Sequence, residues 1–477
     1  MKLERPAPPA QNASSDAAAA SPDEPPVKRG LVFGIIAFAL MMMSIDSTIV
    51  ATALHAIQDS LDTSVNWAGW TITAYSLGFL LALPVSGKLN ERYGHRKVFI
   101  GSIFLFTLAS LLCGLSNRIE ILVALRVLQA AGGAGFTPSA TGIIVEHFGN
   151  ERDRAVSLFG SIFPTGAMIG PIFGGLFVTW WSWRGIFLIN LPIGLIVFIM
   201  AWRYIPRDKP HTLRRETMDF TGMLLLGCGI ISSMFAASYL GDENSRVISW
   251  MFVLPTLLAI VSIWLFFNHI NRSKVPFIEP RLIYGRDFIA INVLNILYGG
   301  LGSAAITLLP IYAINRYGIG VLSSGTLLIA QGLASIVLST VGAIAIRRTG
   351  YRLPFYIGGV ITLLGLFLLA PRPPFGISPY VWLAGTAFFI GTGRGIMNPA
   401  SRNAGLQLVP ERASTIAALR SMTLQMGGIT TISVATAIIA SHENPGDAQA
   451  LVYFVAGLIL LAMLPLIRHL PEHRGTW

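Results

Sequence analysis

One carboxylate stands alone in a long apolar run. Asp46, in Met43-Ser44-Ile45-Asp46-Ser47-Thr48, is the single acid well inside any stretch long enough to cross a bilayer. Three arginines, Arg126, Arg394 and Arg420, have the same kind of setting. Charge in hydrocarbon is expensive, so an intramembrane acid is by default a functional residue. An acid in low dielectric beside a fixed cation can take up and release a proton. Arg126 is the obvious cation for Asp46, although sequence alone does not bring the two together. The plainer alternative for Asp46 is a structural hydrogen bond between helices. Tyr75, Gln129, Asn295 and Gln331 are polar residues in neighbouring runs, and with Asp46, Arg394 and Arg420 they form a candidate substrate-cavity set.

Other chemistries find no support. No phosphate-binding Gly-Lys-Ser/Thr loop, nucleophile elbow or metal-ligand spacing occurs, and Gly391-x-Gly393 follows no strand, so it is not a dinucleotide fingerprint. Cys113 and Cys228 both lie in apolar stretches and build no disulfide framework. The expectation is a chain that is not an enzyme and needs no cofactor.

Elements able to position these residues follow from composition. Of 477 residues 53% are hydrophobic and only 12% charged, about half the charged share of a soluble domain. Lipid must solvate most of such a chain. Windows of about 20 apolar residues give helical spans near residues 30–54, 65–87, 97–116, 120–145, 155–179, 184–204, 218–240, 248–269, 287–314, 322–346, 353–371, 379–401, 413–440 and 449–469. Fourteen spans divide as six, two and six. The period-2 alternation of a membrane barrel is absent.

Loop charge gives the orientation. With the N-terminus inside, 26 of the 34 Lys and Arg fall in inside segments and five outside, the others being the three intramembrane arginines. The positive-inside rule then puts both termini in the cytoplasm. It also accounts for the net charge of +11 without nucleic acid as a partner. Residues 1–29 read as a disordered cytoplasmic tail, rich in Ala, Pro and Ser and without the apolar core of a signal peptide. The resulting organisation is 30–204 as one six-helix half, 205–285 as two central spans with linkers, 286–470 as the second half, and 471–477 as a short tail. Gly87 to Arg96 and Gly342 to Arg352 repeat a Gly…Arg-x-Gly-x-Arg pattern in corresponding places of the two halves. Paired halves are a recurrent transporter architecture, with the site at their interface.

Five segments carry a family resemblance. Gly87-Lys-Leu-Asn-Glu91-Arg92-Tyr-Gly94-His-Arg96 resembles the signature between spans two and three of the major facilitator superfamily, with Glu91 where that family usually has Asp. Gly166-x-x-x-Gly170-Pro171-x-x-Gly174-Gly175 is similar to its antiporter signature and makes a small-residue face for close helix packing. Leu122-x-x-x-Arg126-x-x-Gln129-Ala130 resembles a third motif, and Asp46-Ser-Thr-Ile-Val an element of the fourteen-span drug:proton antiporter branch, as does Trp183 to Gly194.

This resemblance implies an all-α membrane protein with the major facilitator fold: two six-helix halves plus two extra central spans. It implies a proton-coupled exporter of lipophilic, cationic drugs or toxic compounds, with the proton gradient as energy source; the alternatives are a dedicated metabolite or lipid exporter on the same fold and a non-transporting membrane sensor. The partners implied are a small-molecule substrate, the bilayer of the inner membrane and, should the cell be Gram-negative, a periplasmic adaptor. Asp46 and Arg126 would serve proton coupling. Gly87, Glu91, Arg92, Gly94, Arg96, Gly166, Gly170, Pro171, Gly174 and Gly175 would serve the conformational switch, the glycine face letting the halves pack tightly in one state. Glu91 is expected to pair with Arg92 or Arg96, or to face a helix N-terminus.

Overall fold

The computed structural model describes residues 28–208, 218–240, 248–374, 376–440 and 442–472. The expected N-terminal tail up to residue 27, residues 209–217 and 241–247, and the last five residues lie outside them. Among the described residues there is no strand.

Fifteen long helices carry the fold. The first half comprises α1 (Arg29–Thr52), α2 (Val65–Tyr93), α3 (His95–Leu115), α4 (Ile119–Ala134), α5 (Phe136–His147), α6 (Arg152–Trp180) and α7 (Asn190–Tyr204). The central pair is α8 (Phe220–Leu240) and α9 (Trp250–Arg272). The second half comprises α10 (Ile289–Thr307), α11 (Val321–Thr349), α12 (Arg352–Leu369), α13 (Pro379–Asn403), α14 (Ala413–Ala440) and α15 (Pro445–Met463). α4 and α5 are one span interrupted at Gly135, where an added Cβ would run into the Ser102 side chain.

Thirteen spans are long and apolar enough to cross a bilayer, against the fourteen expected from sequence. The exception is α13. It is long enough at 25 residues, but it carries Arg394 and Arg402 on a comparatively polar surface. Its last turn extends past the expected end at 401, so Arg402, assigned to a loop by its sequence position, is a helical residue only 8% exposed.

Two expected spans are interrupted where proline removes a donor from the backbone ladder. The 287–314 span breaks at Leu308 and resumes as a short helix, Leu309–Tyr317, with Pro310 in its first turn. Pro310 has no N–H for the Ile306 carbonyl, and Gln449 Nε2 donates at 2.7 Å to the Leu308 carbonyl, which also accepts from Tyr312 N at 3.0 Å. The 184–204 span begins as Gly185–Leu188 and restarts at Asn190, with Pro192 unable to donate to the Leu188 carbonyl. That interruption sets Asn190 at the head of α7.

The repeat seen in the sequence is a structural repeat. Gly94 (φ +94°) and Gly350 (φ +67°) occupy equivalent turns that L side chains rarely adopt. After each turn a carboxylate from beyond the half's last helix accepts from the new helix's free N–H groups. Asp208 accepts from Arg96 N at 2.9 Å, and Glu472 from Tyr351 N at 2.8 Å. Both use the unsatisfied donors and positive dipole end of a helix N-terminus. Sequence reading missed both acids, because each lies more than a hundred residues from the turn it closes.

α2 packs against α14 and α6 against α11, and these pairs form the seam between the halves. α8 lies against α14 and α2 at the edge of the seam, and α9 packs on α8.

Candidate functional site

Asp46, Arg126, Gln129 and Tyr75 are brought together inside the first half. Asp46 Oδ2 accepts from Arg126 Nη1 at 2.7 Å, and its Oδ1 accepts from Gln129 Nε2 and Asn190 Nδ2, both at 2.8 Å. Arg126 also donates through Nη1 to Gln129 Oε1 at 2.6 Å and through Nε to the Thr71 carbonyl at 3.2 Å. Its guanidinium lies 4.1 Å from the Tyr75 ring centroid, a cation–π distance. Ser110 Oγ accepts from Gln129 Nε2 at 2.7 Å and closes the network from α3.

Local structure explains why these groups meet. Arg126 and Gln129 are three apart on α4 and share a face, while Asn190, the first residue of α7, reaches the same carboxylate. Asp46, Arg126, Gln129, Ser110 and Asn190 are each at most 2% exposed. A buried ion pair repays its desolvation only with extra hydrogen bonds, and this one has them. Asn190 and Ser110 are participants that sequence reasoning did not single out; Asn190 lies in the quoted Ile189-Asn190-Leu191-Pro192 run, which was the available signal.

The remaining cavity candidates lie elsewhere. Arg394 and Arg420 line a cavity of about 280 Å³ between the halves, together with Tyr298, Asn398, Arg402, Phe79 and Phe163. Asn295 sits beside it, accepting from Ser401 Oγ at 2.7 Å. Gln331 packs its backbone against α13, where a Cβ on Gly391 would approach the Gln331 Cα to 2.9 Å. Asp46, Tyr75 and Gln129 do not line this cavity.

Glu91 closes the seam at one end. Its carboxylate accepts a short bond from Arg412 and one from Thr415 Oγ1 at 2.6 Å, in the first turn of α14. Of the expected partners it has the helix N-terminus. Its cations are Arg412 of the opposite half and, at 3.7 Å, Lys88 one turn earlier on α2, not Arg92 or Arg96. Arg92 instead stacks over Tyr93 at 5.4 Å, and Arg96 donates to the Trp202 carbonyl at 2.6 Å. Glu91 is at the C-terminal end of α2, and only the docking of α14 carries Arg412 to it. Arg412 is 5% exposed and also pairs with Glu279. Asn403 Nδ2 donates to Ser157 Oγ at 2.8 Å, and Arg347 bonds the Asn150 carbonyl, all at this same end. Gly87 allows the contact: a Cβ there would meet Thr415 Cα and Ala418 Cβ at 3.2 Å.

The glycine face of α6 does not join the halves, which corrects the sequence expectation. It packs α6 against α1 within the first half. A Cβ on Gly166 would stand 2.6 Å from Ser44 Cβ, on Gly170 3.0 Å from the Ile45 carbonyl, and on Gly174 2.9 Å from the Ile49 carbonyl. Gly175 has open space and Pro171 is exposed. α6 meets α11 through a different face, with Gly332 against Met168.

The arrangement is thus two helical halves around a central cavity, with a charge-latched end and a buried acid–arginine network in one half. The family model of the Major Facilitator Superfamily matches residues 36–222 and 220–432. The chain belongs to this superfamily. It is 30% identical over 415 residues to the multidrug resistance protein B homolog of Mycobacterium tuberculosis H37Rv, covering 85% of this chain and 75% of that one. It is 26% identical over 443 residues to the methylenomycin A resistance protein of Streptomyces coelicolor, covering 91% of each. Among solved structures it superimposes on the proton:xylose symporter XylE with a TM-score of 0.65 at 12% identity, covering 94% of this chain and 97% of that one. Superfamily members are transporters rather than enzymes, and the fold is all-α with many membrane-capable helices.

Proposed function

We propose that this protein is a proton-coupled secondary exporter of lipophilic compounds, working by alternating access. The observation that carries the reading is the central cavity bounded by both halves and latched at one end by Glu91 and Arg412. A cavity so placed is exposed to alternate sides when the halves rock. The resistance named in the relatives supports export of toxic compounds.

On the orientation implied by loop charge, both termini face the cytoplasm of an inner membrane. The latched end is then cytoplasmic, and the conformation is outward-facing. Breaking the Glu91–Arg412 latch would open the cavity to the cytoplasm. The Asp46–Arg126 network serves as the proton relay. Protonation of Asp46 removes the counter-charge of Arg126 and releases the guanidinium, a change that α1, α4 and α7 all feel through their side chains. No bound cofactor enters the cycle, and the proton gradient supplies the energy.

Everted vesicles test the proposal. Imposing a proton gradient should drive accumulation of a lipophilic dye, and collapsing it with an uncoupler should release the dye. Accumulation that survives the uncoupler, or none in correctly inserted protein, would reject it.

A further inference from the structure

The central cavity is cationic. Arg394 and Arg402 from α13 and Arg420 from α14 line it, and no Asp or Glu is among its lining residues. The sequence makes this deficit general. Between Asp287 and Glu411, and again between Glu411 and Glu443, the chain holds no carboxylate, so the second half's spans offer these arginines no acid. The one acid deep in the first half, Asp46, is committed to Arg126.

The three side chains are held rather than neutralised. Arg420 Nε donates to Ser401 Oγ at 2.8 Å, and Ser401 in turn bonds Asn295. Arg402 Nε donates to Asn398 Oδ1 at 2.8 Å, and its guanidinium lies 5.5 Å from the Phe163 ring. Arg394 Nη1 reaches the Gly302 carbonyl at 3.3 Å and its guanidinium is 5.7 Å from the Tyr298 ring. Arg402 and Arg420 each spend Nε on a neutral oxygen, and among the described residues their paired Nη groups make no hydrogen bond. Those are the forks that hold carboxylate, sulfonate or phosphate in bidentate fashion. Both residues are 8% exposed, so water compensates them poorly. Phe79, Phe163, Tyr298 and Leu424 supply apolar walls.

The geometry points to an amphiphilic organic anion as the substrate class: an acidic group on the Arg402–Arg420 forks and an aromatic or aliphatic body against the phenyl walls. This rests on the exporter reading and replaces its expected cationic substrate. That expectation needed a carboxylate in the cavity, and Asp46 is walled off from it. An uncompensated cationic cavity repels a cation and gains from an anion by charge pairing in low dielectric. Such a site also changes the exchange. An entering anion neutralises cavity charge directly, without displacing a proton from a shared carboxylate.

Two xanthene dyes of similar size and opposite charge, fluorescein and rhodamine 123, test the assignment. Binding to the purified full chain is read by fluorescence anisotropy, and transport is read in everted vesicles. Fluorescein should bind about tenfold or more tightly than rhodamine 123. Arg420→Gln should abolish that preference and Arg420→Lys should keep most of it; Arg394→Gln, at a less buried position, provides the same comparison should Arg420→Gln fail to fold. Equal or tighter binding of rhodamine 123, binding of neither dye, or an unchanged preference in the Gln variants would overturn the assignment. Equimolar sulfate displacing fluorescein completely would also overturn it, since the apolar body would then contribute nothing. The two readings separate cleanly. Gradient-driven movement of rhodamine 123 alone leaves the exporter and rejects the anion site. Preferential fluorescein binding without gradient-driven movement keeps the site and rejects the exporter.

Discussion

Asp46 and Arg126, eighty residues apart in the chain, form a 2.7 Å ion pair whose side chains are 0% and 1% exposed. Neither has contact with the cavity between the halves. Under the proposed coupling, a proton reaching Asp46 would act on substrate through helix movement rather than through competition for one carboxylate.

That geometry sets the outcome of Asp46→Asn. The amide keeps the shape but leaves Arg126 without a counter-charge, and breaking one partner of a buried pair costs about 3–5 kcal/mol. Thermal unfolding should show a clearly lowered midpoint, and substrate addition should release no protons. A double variant, Asp46→Asn with Arg126→Gln, should recover much of the midpoint while remaining uncoupled. Proton-coupled export at the wild-type level in Asp46→Asn would return the residue to a purely structural role.

Glu91→Gln and Arg412→Gln should act as a single lesion. Both break the Glu91–Arg412 pair, so the double variant should be no worse than Arg412→Gln, which also loses Glu279, whereas independent sites would add. The expected phenotype is a slower cycle with little change in dye binding. Cysteines introduced at Gly87 and Ala418 should cross-link readily in the parent protein and poorly in the variants. Undiminished cross-linking in Glu91→Gln would show that the latch is not what holds this end.

Glycine position, not glycine content, decides tolerance on α6. Gly170→Leu drives a side chain into the α1 backbone around Ile45 and Ile49, an overpacking cost of about 1–3 kcal/mol or more. Export should be lost and the unfolding midpoint lowered. A Cβ at Gly175 meets nothing within 4 Å, so Gly175→Leu should be near wild type in both. Equal damage from the two would contradict the packing of α6 on α1.

Topology has a direct check. With Cys228 replaced, Arg372→Cys lies in the exposed connection between α12 and α13 and should react with an impermeant thiol reagent in right-side-out vesicles. Tags at both termini should be protected there. A reactive terminus together with a protected residue 372 would invert the orientation.

Much of the fold was determined by the sequence itself, because lipid permits few solutions. An apolar run of sufficient length must be a helix, which is why thirteen of the spans and the Gly94 and Gly350 turns are legible in the linear chain. The functional motifs are local in the same sense: Arg126 and Gln129 share a face at a spacing of three, and the Gly166–Gly170–Gly174 stripe follows the helical period. Partners across helices were decided only by tertiary structure. Glu91 could pair with Arg92, Arg96 or a helix end as far as the chain shows, and only the approach of α14 delivers Arg412. The glycine stripe announces a close neighbour without saying that it is α1. Arg402 looks like a loop cation because its span is polar near its end, and burial against the opposite half makes it part of the cavity. Charge is written residue by residue, but which charges face each other and which face an empty cavity depends on distances that helix packing alone sets.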